Sequence, residues 1–192
     1  MTQHKAPLIT PVLVAGCIII MTGFAIRASF GVFQIPIATE FGWLRADFSL
    51  AIAIQNLAWG IGQPIFGAIA EKIGDRKAIV IGAISYAAGL LLSSGATTPA
   101  AHQFYEVFVG FGIAGTGFGV ILAVVGRAAS DDNRSMALAI ATAAGSAGQV
   151  FGAPLAEYML TFMTWQMTFV TFAALILAVL MVLPMMLSLI HI

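Results

Sequence analysis

Arg27 stands in the stretch GFAIRASFGVF, inside an apolar run that begins at Pro11. A guanidinium keeps its proton in proteins, and the hydrocarbon core of a bilayer offers no water to solvate it. On a helix Gly23, Arg27, Gly31 and Gln34 recur at the spacing of one face, which makes that face polar and closely approached rather than lipid-facing. The chemistry this permits is anion recognition: the arginine fork matches a carboxylate, and a charge-assisted bond is stronger where water is scarce. A structural ion pair would use the same fork. Glu106 and Glu157 are the acids in later apolar runs, and Glu157 has a simpler place as the repeat mate of Glu71 at a helix end. Glu106 is therefore the ion-pair candidate, and also the carboxylate able to carry a proton coupled to substrate. Substrate contact and structural pairing stand level at this point.

A second polar face is carried by Gln55, Trp59 and Gln63, with Asn56, Gly60 and Pro64 beside it. Arg27, Gln34, Gln55, Asn56, Trp59 and Gln63 are thus the candidate substrate-binding residues, although bonding a neighbouring helix is the commoner use of any single polar side chain in a membrane. Pro64 is expected to bend its helix. His102 is expected at the membrane interface, and His4 and His191 in the tails.

These residues sit in a chain of 192 with 60% hydrophobic and 8% charged residues and a mean hydropathy of +1.02. A soluble domain carries about 25% charged residues, so this chain belongs in lipid. Eight basic and eight acidic residues balance, leaving no basic surface for nucleic acid. The lone Cys17 excludes an internal disulfide and a cysteine-cluster metal site, and no cofactor or metal is expected. LVAGC, ending at Cys17, matches a lipoprotein cleavage box only by chance, because the run continues as IIIMTGF. Gly110, Gly112 and Gly115 form a G-x-G-x-x-G inside an apolar run with no strand before it, which points to close helix packing and not to a dinucleotide. With no P-loop, H-E-x-x-H or G-x-S-x-G, enzyme chemistry has no foothold.

A helix needs about 20 mostly apolar residues to cross a bilayer. Six stretches qualify: Pro11 to Ile35, Phe48 to Ala70, Ala78 to Leu92, Phe104 to Val125, Ser135 to Met159 and Trp165 to Met186. None shows the alternation of a barrel strand. Lys5, Lys72, Arg76, Lys77, Arg127 and Arg134 fall on one side if both termini are cytoplasmic, leaving only Arg45 opposite. The expected fold is therefore an all-α membrane protein with six transmembrane helices, residues 1–10 forming a cytoplasmic tail and 11–186 the helical domain.

LAIAIQNLAWGIGQPIFGAIAE, Leu50 to Glu71, is similar to LAIATAAGSAGQVFGAPLAE, Leu138 to Glu157. Both open L-A-I-A, pass through G-Q and F-G-A, and close A-E. Span two thus repeats in span five, and an offset of three spans reverses the second copy. The six helices are two inverted three-helix repeats, an arrangement of many secondary transporters.

The loop GAIAEKIGDRK, Gly67 to Lys77, resembles the signature G-x-x-x-D-R-x-G-R-R of the major facilitator superfamily, found after the second helix. Gly67, Gly74 and Arg76 match, Glu71 and Lys72 replace the usual acid and base conservatively, Asp75 stands where an arginine is usual, and Lys77 follows in the same loop. The resemblance implies a conformational-switch loop whose ion pairs break as domain halves rock. RASFGVFQIPIATEFGW followed by GQPIFG is most similar to the monocarboxylate and oxalate/formate branch. Span five carries Gly148, Gly152 and Pro154 rather than the G-P-x-x-G-G of drug/proton antiporters.

Such transporters have twelve spans in two halves, so the resemblance implies one half, whose partners are a small-molecule substrate of anionic type, the bilayer and a missing C-terminal six-helix half. The last residues, LSLIHI, are the translation of CTGTCTCTTATACACATC, a transposon end used in sequencing-library preparation. Residues 187–192 are thus expected to be adapter-derived and the native protein to continue. The function expected is alternating-access transport of a small organic anion such as a monocarboxylate, with proton coupling in reach, in a bacterial inner (plasma) membrane. Its rivals are an exporter of hydrophobic compounds, which would make Arg27 structural, and a six-span channel or structural membrane protein.

Overall fold

In a computed structural model of the chain, residues 7–182 are described, and they form six helical rods. These are α1 (Pro11–Phe41), α2 (Arg45–Ile73), α3 (Asp75–Ser94), α4 (Pro99–Ala128), α5 (Arg134–Leu160) and α6 (Trp165–Val182). The remainder of span six up to Met186, the 187–192 expectation, Lys5, His4 and His191 lie outside the described residues. Five of the six rods are long and apolar enough to cross a membrane. α2, at 29 residues, is long enough, but Gln55, Asn56 and Gln63 lower its hydropathy. α2 therefore falls short because it carries the polar face.

Most helices overrun the apolar stretches that predict them, because an α-helix continues past the hydrocarbon until a cap or glycine ends it. Thr10 caps α1 by accepting from the Leu13 N–H at 3.2 Å, and Thr98 does the same for α4. Gly42, at φ 67°, ends α1, and Gly74, at φ 93°, alone turns the chain from α2 into α3. Both need the left-handed region that glycine enters without strain. The overrun to Phe41 matters for α1: Arg27 lies within a residue of that rod's midpoint rather than near its end. Trp59 is the central residue of α2.

Two rods are interrupted. Ser29 Oγ donates to the Ile26 carbonyl at 2.6 Å, competing with the helical ladder, and Phe30–Phe33 follows as a 3-10 turn just past Arg27. α4 breaks at Gly117, which is extended, so the predicted continuous run is two segments, Pro99–Thr116 and Phe118–Ala128. α2 runs as one helix through Pro64.

α1 packs chiefly against α5, and α4 against α2 and α3. Under the repeat that relates α1 to α4 and α2 to α5, the α1–α5 and α4–α2 contacts are the same contact made twice. The G-Q glycines show this at atomic level: a Cβ on Gly62 of α2 would meet Ala114 of α4, and one on Gly148 of α5 would meet the Met21 carbonyl of α1. The Gly110–Gly115 motif is packing as predicted, since α4 uses Gly110 against the α2 backbone, Gly112 against Tyr86 and Gly115 against Gly82.

Candidate functional site

α1 and α2 have little direct packing against each other, and Arg27 spans the gap between their central turns. Its Nη2 donates to Asn56 Oδ1 at 2.8 Å, and its Cζ stands 4.7 Å from the centroid of the Trp59 ring. Asn56 is itself oriented, because its Nδ2 donates to the Ile52 carbonyl at 2.8 Å. Trp59 is fixed by Phe24, edge-on at 5.8 Å between centroids, and packs against both apolar clusters of the core. The guanidinium thus has a neutral amide and an aromatic face as partners, and no carboxylate within ion-pair range among the described residues. Arg27 Nε and Trp59 Nε1 are buried donors without a hydrogen-bond partner among the described residues. Unused buried donors are rare and call for an acceptor.

Glu106 does not pair with Arg27. Its carboxylate is fully buried and accepts from Gln55 Nε2 at 2.7 Å and from Ser93 Oγ at 3.0 Å. The polar face predicted on α2 is therefore divided. Gln55 turns into the α2–α4 interface, Asn56 and Trp59 meet Arg27, and Gln63 lies against Gly119 of α4. Gln34 is not brought to Arg27: its Nε2 donates at 3.2 Å to the Arg45 carbonyl and to Ser49 Oγ, tying the end of α1 to the start of α2.

His102, expected at the interface, is 1% exposed and stacked on Phe48 at 5.5 Å and Phe169 at 6.4 Å. The sequence held a signal for this, since His102 and Glu106 are one helical turn apart and share a face. Glu40 was also missed; it accepts from Trp165 Nε1 and from Gln166 Nε2, pinning α1 to α6. A separation of 125 residues gives no local cue to that contact.

At the opposite end of the bundle Asp75, the residue that departs from the signature, accepts from Arg127 Nη2 with both carboxylate oxygens, at 2.6 and 2.7 Å. The loop's charge network is therefore tied to the end of α4. Gly67, Glu71, Asp75, Gly119 and Arg127 line a cavity of about 310 Å³ there. Glu71, Lys72, Arg76 and Lys77 are exposed and have no ion pair among the described residues.

A six-helix bundle built as an inverted repeat, with an arginine held at its mid-level between helices, is half of a transporter-type membrane fold. The family model of the Major Facilitator Superfamily matches residues 15–190, and the chain belongs to that family as an integral membrane protein. It is 30% identical over 148 residues to monocarboxylate transporter 13 of Bos taurus, covering 74% of this chain and 33% of the relative. It is 28% identical over 159 residues to the uncharacterized MFS-type transporter YcxA of Bacillus subtilis (strain 168), covering 81% of this chain and 38% of that protein. The chain thus spans little more than a third of the length of the curated relatives it matches. In fold it is similar to the xylose transporter XylE from E. coli in its inward-open conformation, with a TM-score of 0.76 at 16% identity over 90% of this chain and 47% of that one. A further XylE structure, the proton:xylose symporter bound to 6-bromo-6-deoxy-D-glucose, gives 0.77 at 13% identity, covering 91% of this chain and 44% of that one.

Proposed function

We propose that the chain is the first half of an alternating-access transporter for a small organic anion, in which Arg27 receives the anion's carboxylate. The observation that carries this is the mid-span guanidinium without a carboxylate partner among the described residues, its Nε and the neighbouring Trp59 Nε1 left there as buried donors. An incoming carboxylate is an acceptor for both, and Asn56 holds the fork in place until it arrives. The similarity to a monocarboxylate transporter supports the same substrate class. The bundle sits in a bacterial plasma membrane with the Lys72–Lys77 loop and both termini of this half on the cytoplasmic side. A second six-helix half completes the cavity. The Asp75–Arg127 pair acts as a latch on the switch loop, breaking as the halves rock, and Glu106 carries the coupled proton.

Proteoliposome uptake by the full-length protein tests this. Pyruvate, lactate, formate and oxalate are offered beside xylose and a lipophilic cation. Saturable uptake of a carboxylate is expected; uptake confined to the lipophilic cation would instead support an exporter of hydrophobic compounds.

A further inference from the structure

Glu106 and His102 stand one turn apart on α4, 0% and 1% exposed. Oε2 of Glu106 accepts from the Gln55 amide, and Oε1 from the Ser93 hydroxyl. His102 Nε2 lies 3.8 Å from the same Oε1, and neither ring nitrogen has a hydrogen-bond partner among the described residues. Phe48 and Phe169 stack on the ring and Trp43 lies 5.9 Å away, tilted. An imidazole offers a donor, an acceptor or two donors according to its protons. A pure packing role would be filled as well by phenylalanine, without unused polar atoms in a dry site. A shift of roughly 1 Å closes the gap to a hydrogen bond.

We infer that Glu106 and His102 form one proton-binding dyad that takes up a single proton between Glu106 Oε1 and His102 Nε2, linked to the Arg27 site through Gln55 and Asn56. This presupposes the transport function proposed above. Before uptake the dyad is a carboxylate and a neutral imidazole with one negative charge. After uptake it is neutral overall, whichever partner holds the proton. Oε2 is committed to the N–H of Gln55, whereas the Ser93 hydroxyl can turn from donating to accepting, so Oε1 is the oxygen free to carry it. Gln55 and Asn56 are consecutive on α2: one donates to Glu106, the other accepts from Arg27. An anion that neutralises Arg27 then changes the potential at the dyad across this single turn of α2. Anion arrival and proton uptake then favour one another, each by the same factor.

Several ionisable groups on the packed elements have partners of their own, while Arg45 at the start of α2 is exposed. Arg27 is held by Asn56 and Trp59, and the Tyr86 hydroxyl donates to the Gly23 carbonyl at 3.0 Å. Nearer the rim, Asp47 accepts from the Leu44 N–H and Glu40 from Trp165 and Gln166.

The test is a pH titration of the full-length protein in lipid nanodiscs, following the imidazole signal lost in His102→Gln and the carboxyl infrared band lost in Glu106→Gln. In the unsubstituted protein both should move over one pH interval with one proton taken up in total. Glu106→Gln should displace the His102 midpoint by about one pH unit or more, and Glu106→Asp, which keeps the charge if the glutamine variant misfolds, should retain the coupled step. Independent titrations, each unmoved by loss of the other group, would overturn the dyad even if Arg27-dependent pyruvate uptake is normal. Coupled titration in a protein that takes up no carboxylate would instead contradict the transport function and leave the dyad standing.

Discussion

Arg27 on α1 and Asn56 on α2 are joined by a 2.8 Å hydrogen bond between the central turns of two helices that otherwise have little contact. A half-buried guanidinium beside an amide and an indole is held in position with no carboxylate paired to it among the described residues, so its charge remains available to a ligand. In a low-dielectric site that attraction is far stronger than in water.

Trp59 contributes two separable things, a ring face for the guanidinium and an unused N–H. Trp59→Phe keeps the first and removes the second. The net value of one neutral hydrogen bond is about 0.5–1.5 kcal/mol, so the apparent KM for the best-transported carboxylate should rise about two- to tenfold. Competition uptake assays at several substrate concentrations read this directly.

Glycine at the repeat-related crossings sets how closely the helices approach. Gly148→Val places a side chain against the Met21 carbonyl and should destabilise the bundle by about 1–3 kcal/mol or prevent folding, as overpacking does. Gly60→Ala meets nothing within 4 Å and should leave the thermal midpoint in detergent unchanged or slightly raised. Equal midpoints for the two variants would contradict the crossing geometry.

Arg127 is 59% exposed at its side chain and Asp75 28%, so their ion pair is worth at most about 1 kcal/mol of stability. Asp75→Asn should therefore barely move the thermal midpoint. If the pair is a latch, the same change should alter the rate of carboxylate exchange across proteoliposomes, and Arg127→Lys, which replaces the planar guanidinium whose Nη2 reaches both Asp75 oxygens, should alter it in the same sense. Unaltered exchange in both variants would remove the latch.

Much of the fold was legible because its signals are local or repeated. Apolar length predicts the six rods, and the G-Q match predicts the paired crossings at Gly62 and Gly148. The site was legible in its residue types but not in its partners. Arg27, Asn56 and Trp59 come together, yet Gln55, about 100° round α2 from Asn56, turns instead to Glu106, a partner 51 residues away that no local pattern marks. The length of α1 was underestimated because Gln34 and Glu40 end its apolar run before Gly42 ends its helix. Asp75 read as a departure from its signature loop because its partner Arg127 is 52 residues away.

Equilibrium binding of the best-transported carboxylate to purified full-length protein bears most directly on Arg27. Arg27→Gln removes the charge and the fork and should weaken binding by about tenfold to a hundredfold, the range of hydrogen bonds to charged groups. Arg27→Lys should fall between the two, keeping the charge without the bidentate geometry. Unchanged affinity in a folded Arg27→Gln protein would contradict the assignment of Arg27 as the anion's receptor.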